Sequence, residues 1–188
     1  MQRPAESKRS VIVHLLVALL FIVMTSALGP TDAAALMRPC WHLDPTIVGT
    51  RRGEVLRGTD GPDVIEGLGG SDVIYGLGGD DHICGGLRAD RVVGGEGDDH
   101  IQGDLGADII VGGPGDDTLK GNEHADTIRG EDGDDHLVDG PGIPDRLRGG
   151  TGFDYLESVD EIDGDLLNGG AETDSCEGGL GDVFVNCP

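Results

Sequence analysis

Aspartate recurs at every ninth residue through the middle of this chain: Asp63, Asp72, Asp81, Asp90, Asp99, Asp108, Asp117, Asp126 and Asp135, then Asp145 after one slipped residue, then Asp154. Each lies two residues before a large aliphatic side chain, and most follow closely spaced glycines. A carboxylate in such a setting can do acid–base work or hold a cation. Acid–base chemistry needs one pair, such as Asp98 and Asp99, placed once. The same aspartate written at a fixed interval is instead the pattern of repeated ligation. Hard cations take about six to eight oxygens in tolerant geometry, and carboxylates and peptide carbonyls supply them; calcium fits such donors better than zinc or copper does.

The elements that must position these carboxylates are set by the period. From Gly58 to Val138 the chain divides without remainder into nine units of nine residues, among them GLGGDDHIC from Gly76, GGEGDDHIQ from Gly94 and GGPGDDTLK from Gly112. Internal repetition of this kind signals a stacked architecture in which each unit buries its apolar face only against its neighbours. Position six is always aspartate, and position eight reads Ile65, Ile74, Ile83, Val92, Ile101, Ile110, Leu119, Ile128 and Leu137. The last three residues of each unit are too few for a free-standing strand but suffice for one rung of a parallel stack, with position eight inward and positions seven and nine outward. Glycines at positions one, two and four let the backbone take positive φ and aim carbonyls into the turn. A degenerate unit, GTRRGEVLR from Gly49, precedes the series. A ten-residue unit with Asp145 and Leu147 and then GGTGFDYLE from Gly149 follow it, and the register is lost between Ser158 and Asn168 before an imperfect return in GGAETDSCE from Gly169.

The period is really eighteen. Position five alternates between Asp80, Asp98, Asp116 and Asp134 in one set of units and Ser71, Ala89, Ala107 and Ala125 in the other. The paired-aspartate set keeps glycine at position four, whereas the other places Arg52, Arg88 and His124 there. Two different faces are thus written into the chain, and the paired-aspartate face is expected to bind cations more tightly. His82, His100 and His136 share position seven after the paired aspartates and are expected to align on one outer edge, as solvent-exposed rungs rather than a transition-metal site.

The motif G-G-x-G-x-D-x-U-x, with U a large apolar residue, resembles the RTX (hemolysin-type) calcium-binding nonapeptide repeat, and the resemblance covers about residues 46–187. It implies an all-β fold, a right-handed parallel β-roll or β-solenoid with two repeats per coil, and calcium ions held between loops one coil apart. Carried onto this sequence, it implies one ion row along Asp63, Asp81, Asp99, Asp117, Asp135 and Asp154 and another along Asp72, Asp90, Asp108, Asp126 and Asp145. The loop glycines Gly79, Gly95, Gly97, Gly113, Gly115 and Gly133 belong to the same metal-binding turns. Five gaps in the first row, and five in the second if Glu54 of the degenerate unit heads it, cap the count at ten ions, and roughly six to eight Ca2+ are expected given the defects at position four.

Composition agrees with cation dependence. The 188 residues include 35 glycines, only 3% aromatic residues, and 36 acidic against 13 basic residues, a net charge of −23. Such a chain is poorly supplied for an ordinary core and repels itself, so without calcium it is expected to be disordered. Calcium ions are the expected partners and nucleic acid is not. Folding would be coupled to binding, with affinities in the range of about 10⁻⁴–10⁻³ M usual for extracellular modules.

The first 35 residues have the order of a secretory signal peptide: Arg3, Lys8 and Arg9, an apolar run from Val11 to Leu28, then Ala33-Ala34-Ala35 as a cleavage site. An uncleaved anchor is the competing reading of that run; after cleavage no membrane span is expected. The expected organisation is a signal peptide over 1–35, an N-terminal cap over 36–48, the repeat roll over 49–157, and degenerate repeats with a disulfide-closed cap over 158–188. The cysteines, Cys40, Cys84, Cys176 and Cys187, are even in number in an exported chain, which favours disulfides. Cys176–Cys187 is the expected cap closure and Cys40–Cys84 its complement, although the sequence alone permits all three connectivities. No G-x-S-x-G, no H-E-x-x-H and no stretch large enough for a catalytic domain accompany the repeats, so the expected function is a secreted or surface calcium-binding module rather than an enzyme. The alternative is a structural or adhesive surface protein bridging polymers or other chains through calcium.

Overall fold

The computed structural model describes residues 42–141, 143–159 and 164–187. The described residues wind as a β-solenoid of sixteen short strands in two parallel sheets, one on each side of a thin core. The odd-numbered strands form one sheet: β1 (Ile47–Val48), β3 (Val64–Glu66), β5 (His82–Leu87), β7 (His100–Leu105), β9 (Thr118–Glu123), β11 (His136–Val138), β13 (Tyr155–Glu157) and β15 (Ser175–Glu177). The even-numbered strands form the other: β2 (Val55–Arg57), β4 (Val73–Gly78), β6 (Arg91–Glu96), β8 (Ile109–Pro114), β10 (Thr127–Asp132), β12 (Arg146–Thr151), β14 (Leu166–Gly170) and β16 (Val183–Val185). Each repeat contributes one strand, so two repeats make a coil, and every strand pairs with the strands one coil away.

Register follows from the position-eight residue. In one sheet Ile65 pairs with Ile83, Ile83 with Ile101 and Ile101 with Leu119; in the other Ile74 pairs with Val92, Val92 with Ile110, and Ile110 with Ile128. A one-residue slip would turn this whole ladder out to water, which is why the pairing is unambiguous. The inward ladder from Ile65 to Leu167 is at most 1% exposed and, with Leu56 ahead of it and Ile47 and Cys176 packed at its ends, forms the apolar core, while the residues beside the rungs are half-buried or exposed, Cys84 excepted. One buried aliphatic residue per repeat is a thin core, and most of what lies between the sheets' ends is loop.

The slipped segment is absorbed without breaking either sheet. The pairing offset is 18 along the regular repeats, as in His100 with Thr118, then 19 for Leu137 with Leu156 and 20 for Leu156 with Cys176. Both sheets therefore continue beyond Ser158, where the period in the sequence fails. Cys176 replaces the aliphatic rung and is joined to Cys187 by a disulfide. Cys84 on β5 is buried and disulfide-bonded; Cys40, its expected partner, lies outside the described residues, as do Trp41 and the apolar run from Val11 to Leu28. Among the described residues no helix is long and apolar enough to cross a membrane.

His82, His100, Thr118, His136 and Tyr155 stand in one register column. The His82 and His100 rings stack with centroids 5.0 Å apart. His136 leans on Tyr155 and lies 3.8 Å from a Glu157 carboxylate oxygen.

Candidate metal sites

The position-six aspartates sit where loop meets strand, and burial of the neighbouring rungs carries them inside with it: Asp81 and Asp99 are 0% exposed. Each uses Oδ1 as a rivet between coils. In one row the N–H of Asp63 donates to Asp81 Oδ1 (2.8 Å), Asp81 to Asp99 (2.9 Å), Asp99 to Asp117 (2.8 Å), Asp117 to Asp135 (2.9 Å) and Asp135 to Asp154 (3.0 Å). In the other, Asp72 donates to Asp90, Asp90 to Asp108 and Asp108 to Asp126, each at 2.7 Å, and Asp126 donates to Asp145. The structure thus brings the eleven aspartates together in the two rows expected.

The second oxygen is different. Oδ2 of Asp72, Asp81, Asp90, Asp99, Asp108, Asp117, Asp126, Asp135 and Asp154 is buried and has no hydrogen-bond partner. A buried carboxylate oxygen left in this state is costly, and the remedy is a proton or a cation. Its surroundings are oxygen-rich. A Cβ placed on Gly76 would stand 2.1 Å from Asp81 Oδ2 and 2.5 Å from the Gly94 carbonyl oxygen, and one on Gly112 would stand 2.0 Å from Asp117 Oδ2.

This corrects the expectation for position one. Gly76, Gly94, Gly112 and Gly130 are not in the positive-φ region; they are glycine because the aspartate's Oδ2, joined at the first three by a carbonyl of the next coil, occupies the space of a side chain. Positions two and four do take positive φ in most units, Thr59, Gly61 and Gly106 being exceptions. The glycines Gly79, Gly95, Gly97, Gly113, Gly115 and Gly133 have φ between 96° and 139°, and their bare α-carbons let one loop nest on the backbone of the loop before it. A Cβ on Gly115 would meet the Gly97 carbonyl oxygen at 2.1 Å. In the other row Arg88 and His124 hold position four at φ of 80° and 87°, a conformation glycine adopts without penalty and these residues do not.

Position five explains the eighteen-residue super-period. Asp98 N–H donates to Asp80 Oδ1, Asp116 to Asp98, Asp134 to Asp116, and Phe153 to Asp134, at 2.8–3.1 Å. This exposed carboxylate ladder runs beside the buried one and in the opposite sense, because here the later coil donates to the earlier. Ser71, Ala89, Ala107 and Ala125 leave the other row without it.

Electrostatics report the same crowding. Burial pushes the Asp81 carboxyl up to about 6, those of Asp90, Asp99, Asp126 and Asp135 up to about 7, and those of Asp108 and Asp117 up to about 8. The N–H bond from the preceding aspartate opposes that rise at each of them, and neighbouring carboxylates add to it at all of them. Asp63, first in its row, is the exception: burial is outweighed by hydrogen bonds from Thr46 and Thr59, and its carboxyl falls below the ordinary value.

Sequence reasoning missed four aspartates. Asp154 N–H donates to Asp174 Oδ1, Asp145 N–H to Asp165 Oδ1, and Asp165 N–H to Asp182 Oδ1, so both rows run on to the end of the solenoid at altered spacing. The tripeptide Thr173-Asp174-Ser175 inside GGAETDSCE was the available signal for one of them. The fourth, Asp139, has no counterpart in the repeat and lies buried beside Asp145 and Asp165.

Buried carboxylate oxygens without protein donors, facing carbonyl oxygens across stacked loops, fit a hard divalent cation and offer no nitrogen or sulfur ligand. A search of curated proteins and of solved structures finds no match. The family model of the RTX calcium-binding nonapeptide repeat matches residues 48–83, 85–119, 103–137, 120–142 and 144–158, more than half the chain. With its loops, rows and solenoid as described, this chain is a calcium-binding repeat protein and belongs to the RTX calcium-binding nonapeptide repeat family.

Proposed function

We propose that this protein is exported and takes up its roll outside the cell when calcium fills the gaps between stacked loops, with the position-six aspartates as the carboxylate ligands. The observation that carries the reading is the set of buried Oδ2 atoms along the two rows, on Asp72, Asp81, Asp90, Asp99, Asp108, Asp117, Asp126, Asp135 and Asp154, that no hydrogen bond satisfies. Calcium supplies the positive charge these rows lack. The chain's own residues do the rest: glycines at positions two and four bring successive loops into contact, Oδ1 fixes each carboxylate to the coil before it, and the aliphatic ladder holds the two sheets in register. The apolar segment after Arg9 and the alanines at 33–35 support export by a cleaved signal peptide. In a calcium-poor cytoplasm the same carboxylates repel one another and the chain stays open. The paired-aspartate row is the tighter one, since its loops keep glycine at position four and carry the second ladder through Asp80, Asp98, Asp116 and Asp134.

That exposed ladder also supports a second reading, in which calcium bridges the roll to an acidic polymer or another chain. A calcium titration followed by far-UV circular dichroism, with chelator and magnesium as controls, tests the first reading. A cooperative coil-to-β transition specific to calcium is expected. A spectrum that calcium leaves unchanged, whether coil or β, overturns calcium-driven folding, and calcium-dependent self-association of an already folded roll would favour the bridging role.

A further inference from the structure

Where the period slips, the chain assembles a carboxylate cluster of a different composition. Val138 on β11 pairs with Lys120 on β9, so Asp139 takes the place in its coil that Gly121 holds one coil earlier. The column is confirmed by the Asp139 N–H, which donates to Glu157 O as Gly67 N–H donates to Cys84 O. In the regular repeats this place has no room for a side chain: a Cβ would lie 2.3 Å from Asp126 Oδ2 at Gly121 and 2.4 Å from Asp108 Oδ2 at Gly103. Here the position lies six residues rather than five before its aspartate, Asp145, and a full carboxylate is accommodated.

Asp139, Asp145 and Asp165 are 3%, 2% and 1% exposed, and one oxygen from each lies within 4.8 Å of the other two. Hydrogen bonds occupy part of the group. Val159 N–H donates to Asp139 Oδ1 at 2.8 Å, Asp145 N–H to Asp165 Oδ1 at 2.7 Å, and the Ser158 hydroxyl to Asp165 Oδ2 at 2.8 Å. Asp139 Oδ2 is buried and receives none. A gap between regular coils has two position-six carboxylates; here Asp145 and Asp165 are joined by a third buried carboxylate from position one.

We propose that Asp139, Asp145 and Asp165 form a three-carboxylate divalent-cation site, distinct in composition from the repeat gaps, that takes calcium before those gaps fill. It rests on the calcium reading for the identity of the ion, but not on cooperative filling of the rows. Ligand charge and site rigidity set calcium affinity in oxygen sites, and a third buried carboxylate is expected to tighten binding by about 10–100-fold over the repeat gaps.

The test is a calcium titration of the full chain by calorimetry, with bound calcium counted by equilibrium dialysis. The wild-type chain is expected to bind one equivalent at least about tenfold more tightly than the remainder. Asp139→Asn, which keeps the acceptor for Val159, and Asp139→Gly, which restores the residue of the regular repeat, should both lose that equivalent and keep the weaker class and its β transition. Asp99→Asn, which borders two regular gaps, should keep the tight equivalent and lose two of the weaker ones. A wild-type chain with only the weaker class, or a tight equivalent that survives both Asp139 substitutions, overturns the site while leaving the calcium reading intact. A wild-type chain that binds no calcium overturns both.

Discussion

Asp117→Asn isolates the metal role of a single carboxylate from its structural one. The amide oxygen can accept the Asp99 N–H as Oδ1 does at 2.8 Å, and the backbone N–H still donates to Asp135 Oδ1 at 2.9 Å. What changes is Oδ2, replaced by an NH2 that offers a cation no lone pair. Asp117 stands between two gaps, one shared with Asp99 and one with Asp135, so one substitution damages two sites. At free calcium about 100 times the dissociation constant, a filled site stabilises the fold by about 2.7 kcal/mol, and losing two costs about 5 kcal/mol. Asp174→Asn, at the end of the same row, borders one gap and costs about half as much. Denaturant midpoints followed by circular dichroism at pH 8 measure both. In chelator the order inverts: burial makes the Asp117 carboxylate a liability, and the substituted chain should be no less structured than wild type. An equal loss of stability in calcium and in chelator, or an Asp174→Asn penalty as large as that of Asp117→Asn, would refute the two-gap reasoning.

The calcium-free chain should also respond to pH in a defined direction. The buried carboxyls titrate at about 7 to about 8 in the folded state, against about 4 when unfolded, so the folded form binds more protons between those limits. Stability in chelator therefore falls as pH rises from about 4 to about 8, and apparent calcium affinity falls as pH drops through the same window because protons compete; pH-independent calcium midpoints would contradict this. Gly94→Ala places a methyl 2.1 Å from Asp99 Oδ2 and should abolish binding in the adjoining gap, whereas Gly61→Ala, with nothing within 4 Å, should be silent in the same calorimetric titration. Ile110→Ala removes a rung that is 0% exposed and should cost about 2–5 kcal/mol in saturating calcium by denaturant unfolding, without changing the number of ions bound.

The regular part of this fold was legible because one sequence period maps onto one structural step. Asp63 to Asp135 and Ile65 to Leu137 could be assigned to mouth and core from spacing alone, since any unit out of register would have buried the wrong residue. The family resemblance contributed the two-repeat coil and the cation. What failed was the assumption of constant spacing. A stacked coil absorbs an extra residue in its loop while keeping hydrogen-bond register in its strands, so the structural column continues at offsets of 19, 20 and 17 through Asp154, Asp174, Asp165 and Asp182, where a period search sees noise. Asp139 was hidden for the same reason. The role of the position-one glycine was misassigned because lack of room and positive φ both select glycine, and only coordinates separate them.

The exact pairing of each strand with the strands one coil away makes this chain a tape that can be cut and spliced, with eighteen residues as its unit of length. Removing 94–111 would bring Val93 to Gly112, set Ile83 opposite Leu119 and Val92 opposite Ile128, and leave every aspartate in its own row. Removing nine residues instead would carry all later units to the opposite sheet, put the Ala107 type of loop against the Asp98 type, and end the exposed ladder at the splice. Lineages that lengthen or shorten such a protein should therefore do so by whole coils, and an engineer wishing to set the number of ions has a ruler already marked on the chain.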